Sequence, residues 1–190
     1  YTKLTGAVLL LQSLELLVKK ISEIQSHSDE DIHSIIVHSI KIKNIQPQTL
    51  RFAKLEFPVL IMGETGTGKE LFARALHDSG KRKKAPFLAI NCATLAENLL
   101  ESELFGYAPG AFSGAHKTGK PGLFEMAENG SVFLDEVGEM STYLQAKLLR
   151  FLQEFTFRRI GGTNEIKVNV RIICATHRNL EQMTVKGLFR

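Results

Sequence analysis

Residues 59–76 constrain the fold more than any other part of the chain. Val59 to Met62 is a short apolar run of the length of a buried strand. Gly63, Glu64, Thr65, Gly66, Thr67, Gly68, Lys69 and Glu70 follow, and then Leu71, Phe72, Ala75 and Leu76 recur at helical spacing. Strand, G-x-x-x-x-G-K and helix in this order predict a phosphate-binding loop. The glycines let successive backbone N–H groups turn inward, the helix N-terminus adds positive dipole, and Lys69 reaches the β- and γ-phosphates. Glu70 stands where most such loops carry a Ser or Thr that ligates Mg²⁺, and a carboxylate suits a helix N-terminus.

A second chemical signal is Val132-Phe-Leu-Asp135-Glu136, an apolar strand ending in two carboxylates. Beside a phosphate loop they divide the work: Asp135 holds Mg²⁺, directly or through water, and Glu136 orients the attacking water. Alone, such a pair is more often only a polar strand end.

The remaining chain alternates strands and helices. Gly80 stops the helix after the phosphate loop, and Phe87–Asn91 reads as the next buried strand. Thr94 and Glu97 fit a capping box for a helix over about 95–105. A helix over 141–154 has Leu144, Leu148, Leu149 and Leu152 on its buried face. Phe157–Ile160 and Ile166–Val168 read as a hairpin through Gly161 and Gly162. Val170–Ala175 is a core strand, and Leu180–Lys186 is helical. This alternation predicts a parallel sheet wound by helices, with ligand at the carboxyl edge of the strands. Upstream, residues 5–12 form a strand with nothing before it to pair with, assigned to the end of a preceding domain. Ser13–Gln25 has the pattern of a linker helix, and 26–31 form a polar boundary loop. Ser39 caps a helix to about Lys54, which Pro47 is expected to kink or restart.

Bulk properties narrow the function. The 190 residues have an ordinary 44% apolar and 23% charged content, enough for one α/β domain with a small appendage. Net charge is only +4, so phosphate affinity is expected from the loop. The basic run 81–84 reads as a solvated surface loop. His27, His33 and His38 lack metal-site spacing, and Cys92 and Cys174 read as reduced core residues of a cytoplasmic protein. The longest apolar run, 6–11, is far too short to span a membrane.

Taken together, Gly63–Glu70, Asn91-Cys-Ala, Glu101-Ser-Glu-Leu-Phe-Gly106, Gly110–Ala115, Ala127–Glu136 and Gly187-Leu-Phe-Arg190 resemble the sigma-54-interacting AAA+ ATPase domain of bacterial enhancer-binding transcription regulators. The resemblance implies a three-layer P-loop AAA+ core over 32–190, ending before the lid subdomain, behind a PAS-like sensor end and linker over 1–25. It implies ATP and Mg²⁺ as ligands, a ring of subunits (a hexamer in the full-length protein), contact with an RNA polymerase sigma factor, and DNA binding only through a domain outside this chain. Glu70 then becomes a family mark. By position, Asn91 implies the residue that pairs with the catalytic Glu136, and Gly110, Ala111, Phe112, Ser113, Gly114 and Ala115 the loop pushed against sigma. Thr176 and His177 fall at the γ-phosphate sensor, and Arg190 matches the arginine finger offered to a neighbouring subunit. A narrower resemblance, through residues 4–13, 146–152, 156–161 and 173–176, is to aromatic-amino-acid regulators that act mainly with the housekeeping sigma factor. There ATP would serve oligomerisation rather than sigma-54 remodelling. A third reading is a module that binds nucleotide without turnover.

Overall fold

The computed structural model describes residues 7–11 and 40–190, with side chains from 47 onward. The expected linker helix, boundary loop, Ser39 cap, His27, His33 and His38 lie outside the described residues.

Its body is a parallel sheet of β2 (Val59–Gly63), β7 (Arg171–Thr176), β4 (Ser131–Asp135) and β3 (Phe87–Asn91), paired in that order. The strand β1 (Ala7–Leu11) is added alongside β2, with Ala7 opposite Val59 and Leu11 opposite Gly63. The strand assigned to the end of a preceding domain is thus paired with the one that enters the phosphate loop.

Alternation along the strands sorts side chains between two helical layers. Phe133, Ile173 and Ala175 face Ala53 of α1 (Ile40–Ala53) and Phe72, Ala73 and Leu76 of α2 (Lys69–Asp78). Val132, Leu134 and Ile172 face Leu100 and Leu104 of α3 (Glu97–Phe105), Phe124 of α4 (Leu123–Met126), and Leu144 and Phe151 of α5 (Thr142–Glu154). Phe124 and Phe151 stack with centroids 4.1 Å apart, and Phe105 and Phe157 meet them edge-on. A hairpin, β5 (Thr156–Arg158) with β6 (Glu165–Lys167), and the short α6 (Leu180–Val185) complete the described chain.

Several expectations need correction. Helix α1 runs unbroken through Pro47, which is exposed. Strand β3 is half-buried rather than buried, because it ends the sheet and Ala89 faces outward. Thr94 makes no capping box: its hydroxyl donates to the Asn91 carbonyl, and Ala96 is the N-cap of α3. Leu149 is exposed, while Gln145 and Phe151 share the buried face of α5. Within the basic run, Arg82 is not a solvated charge. It donates to Glu56, to the carbonyls of Gly130 and Asn169 and to the Asn169 side chain, tying three loops together. Cys92 and Cys174 are unpaired thiols, raised by burial, Cys174 to about 12.

Candidate functional site

In a parallel sheet every strand delivers its last residues to one edge. Here β2 ends at Gly63, β4 at Asp135, β3 at Asn91 and β7 at Thr176, with Asn91 opposite Asp135 and Met62 opposite Thr176. The loop, the carboxylate pair, Asn91 and the Thr176–His177 step therefore meet at one place.

After Gly63 the chain turns through Gly66 and Gly68, both at φ +79°. Thr67 is buried, and its hydroxyl closes the turn on the Glu64 carbonyl at 2.8 Å. Helix α2 starts directly at Lys69. Gly68 caps it without a side chain, so no side-chain oxygen competes for the N–H groups of its first turn. Glu70 is exposed in that turn. Lys69 is only 6% exposed. Its ammonium donates to the carbonyls of Gly63 and Glu64, each at 3.2 Å, and pairs with Glu136 Oε1 at 3.3 Å.

Glu136 sits at φ 54°, ψ 47°, a left-handed conformation that costs a non-glycine residue about 1–3 kcal/mol. That turn lets the two carboxylates diverge. Asp135 accepts the Glu136 N–H on Oδ1 at 3.0 Å and the Asn91 amide on Oδ2 at 3.3 Å. Glu136 instead places Oε1 on Lys69 and Oε2 on His177, whose Nδ1 lies at 2.7 Å and whose backbone N–H lies at 3.2 Å. Asn91, expected to hold Glu136, is thus bonded to Asp135, and His177 holds Glu136. The neighbouring strands explain it: register sets Asn91 against Asp135, and β7 ends beside the turn that carries Glu136.

Burial and the adjacent Glu136 charge push the Asp135 carboxyl above its ordinary range, against the Glu136 N–H and the Lys69 charge. For Glu136, burial also raises the carboxyl, but the His177 hydrogen bonds and Lys69 outweigh it and leave it below the ordinary range. Neighbouring carboxylates held apart in this way suit different roles. Among the described residues no cluster of three or more His, Cys, Asp or Glu could cage a metal. Asp135 is the residue that would hold Mg²⁺, with phosphate oxygens and water completing its shell.

The other predicted residues are placed less centrally. Thr176 is fully buried, and its hydroxyl accepts the Arg178 N–H at 3.1 Å. Arg190 has its backbone N–H on Gln145 Oε1 at 3.1 Å, and no hydrogen bond or ion pair among the described residues joins it to the loop. Gln145, which the sequence did not single out, also donates to the carbonyls of Met140 and Leu188 and so seats this segment on α5. Gly110–Ala115 has a braced base, where Tyr107 and Lys120 exchange backbone hydrogen bonds and Ala108 N–H bonds the Ile160 carbonyl. A Cβ added at Gly110 or Gly114 would meet nothing within 4 Å, and Phe112 is 48% exposed, its ring 5.0 Å from Tyr107.

A parallel sheet covered by helices on both faces, a phosphate loop from one strand and an Asp-Glu pair ending another define the P-loop AAA+ class. Residues 35–190 match the family described as the Sigma-54 interaction domain, and the chain belongs to that family of bacterial transcription-regulator domains. It is 49% identical over 190 residues to the HTH-type transcriptional regulatory protein TyrR of Salmonella typhimurium, covering 98% of this chain and 35% of TyrR. It is 52% identical over 159 residues to the Nif-specific regulatory protein of Azospirillum brasilense, covering 84% of this chain and 25% of that protein. Its fold is similar to NtrX from Brucella abortus in complex with ATP, at TM-score 0.75 and 35% identity, covering 90% of this chain and 37% of NtrX. The chain therefore spans about a third of these relatives or less.

Proposed function

We propose that the chain binds Mg-ATP on Gly63–Glu70 and hydrolyses it, coupling nucleotide to subunit assembly and to contact with an RNA polymerase sigma factor in the bacterial cytoplasm. The observation that carries the reading is the Lys69–Glu136 pair at 3.3 Å beside Asp135. It puts the phosphate-binding ammonium and the water-orienting carboxylate in one small volume. The ATP complex of the related NtrX domain supports the nucleotide class.

In this reading the loop N–H groups and Lys69 cradle the phosphates. Glu136, held ionised, orients and polarises the attacking water. Mg²⁺, when bound at Asp135, supplies charge neutralisation to the phosphate oxygens. Arg190 meets the site of a neighbouring subunit, and Phe112, on its braced and glycine-flanked loop, meets sigma. Phosphate release by the full-length protein tests the chemistry. Glu136→Gln should keep nucleotide binding and lose at least about 100-fold in turnover; unchanged turnover would refute the role of Glu136.

A second reading, carried by the narrower resemblance, is a ligand-responsive regulator at housekeeping promoters whose ATP site serves oligomerisation. Transcription in vitro with each sigma factor separates the two. Activation confined to sigma-54 holoenzyme and lost in Phe112→Ala supports remodelling, whereas repression at housekeeping promoters supports the rival.

A further inference from the structure

We propose that His177 is the positioning residue of the water-activating glutamate: it keeps Glu136 Oε2 in place while Lys69 alternates between Oε1 and the phosphates. This rests on the hydrolysis reading above.

The two oxygens of Glu136 are engaged differently. Among the described residues Oε1 meets one donor, Lys69 Nζ at 3.3 Å. Oε2 meets two donors from one residue, the His177 backbone N–H at 3.2 Å and ring Nδ1 at 2.7 Å. An ionised carboxylate only accepts, so Nδ1 is the donor in this contact. The backbone donor directly follows the core strand β7 and is no part of the phosphate loop, so this hold does not depend on the loop's state. Lys69 has a competing attraction, because a triphosphate offers its ammonium more negative charge than one carboxylate. When Lys69 moves to the phosphates, Oε1 is released to accept from water, and Oε2 remains anchored. Nucleotide arrival thereby frees the base without loosening it. The left-handed backbone at Glu136 aims the side chain between these partners.

Two measurements test this. In the full-length protein, His177→Ala should lower kcat roughly 10-fold or more with Mg-ATP affinity nearly unchanged, because orientation is lost and binding is not. His177→Asn, which restores a side-chain N–H, should recover part of the loss. Nitrogen-15 NMR of the histidine ring should show Nδ1–H hydrogen-bonded to carboxylate with and without a non-hydrolysable ATP analogue, and the signal should shift in Glu136→Gln. Unchanged kcat in His177→Ala, or an Nδ1 signal indifferent to Glu136→Gln, would overturn the assignment. If the wild-type protein releases no phosphate, the hydrolysis reading fails, and the ring signal alone then decides whether His177 holds Glu136.

Discussion

A single ionisable side chain can show how burial reaches into solution behaviour. His77 lies on α2, is 3% exposed, and faces Ser131 Oγ at 2.9 Å from Nδ1 and the Phe87 ring at 5.3 Å. Burial lowers its pKa; Asp78 and a backbone hydrogen bond with Ala85 oppose this, while Arg171 and Arg74 reinforce it. The folded protein therefore resists a proton that the unfolded chain accepts below about pH 6.5. Stability is full above that value and falls as pH drops toward the folded pKa, by at most about 1.4 kcal/mol per pH unit. Urea unfolding at pH 7.5 and 5.5 should show a larger loss in the wild type than in His77→Gln. Arg171 is a second case. Its guanidinium, 2% exposed, donates to the carbonyls of Phe52, Ala53 and Leu76, closing the C-terminal ends of α1 and α2 where the helix dipoles favour a cation. Arg171→Met would leave those carbonyls unpaired in the interior, and urea unfolding should register a loss of about 2–4 kcal/mol.

Elements show what was legible in the sequence and what was not. The phosphate loop and the Asp135–Glu136 strand end were readable because each is local: strand, turn and helix follow within a few residues. The partner of Glu136 was not, because it depends on which strands are neighbours, and His177 is 41 residues away. Leu149 was assigned to the core from spacing alone, although it turns outward as Phe151 turns in. Arg82 read as part of a solvated loop and Arg171 was not singled out, yet their partners come from loops and helix ends that no periodicity reveals. The Glu101–Gly106 motif also gains a physical basis. Glu101 accepts from Tyr143 at 2.9 Å and pairs with Lys147, joining α3 to α5. Gly106 sits at φ +70°, and a Cβ there would lie 2.4 Å from the Lys120 carbonyl oxygen and 2.5 Å from the Gly122 nitrogen. Both obstacles are backbone, so Gly106→Ala should lower stability by about 2–3 kcal/mol and disturb the base of the Gly110–Ala115 loop. Thermal unfolding would register the first effect, and limited proteolysis within the loop the second.

Across the whole molecule, two apolar layers press one parallel sheet between them and present its carboxyl edge as a working surface. The Phe105, Phe124, Phe151 and Phe157 cluster anchors the layer of α3, α4 and α5. Phe151→Ala should cost about 3–5 kcal/mol in urea unfolding. Helix α2, in one layer, starts at Lys69, and both layers hold β2 and β4 in the register that brings Lys69 to Glu136. Everything proposed here about turnover, assembly and sigma contact depends on that edge accepting a nucleotide. Calorimetric titration of the protein with Mg-ATP, beside Lys69→Ala, measures this directly. The account predicts saturable binding at or below millimolar concentration, weakened at least about 10-fold by the substitution. No heat of binding up to millimolar Mg-ATP, or equal affinity in Lys69→Ala, would contradict it.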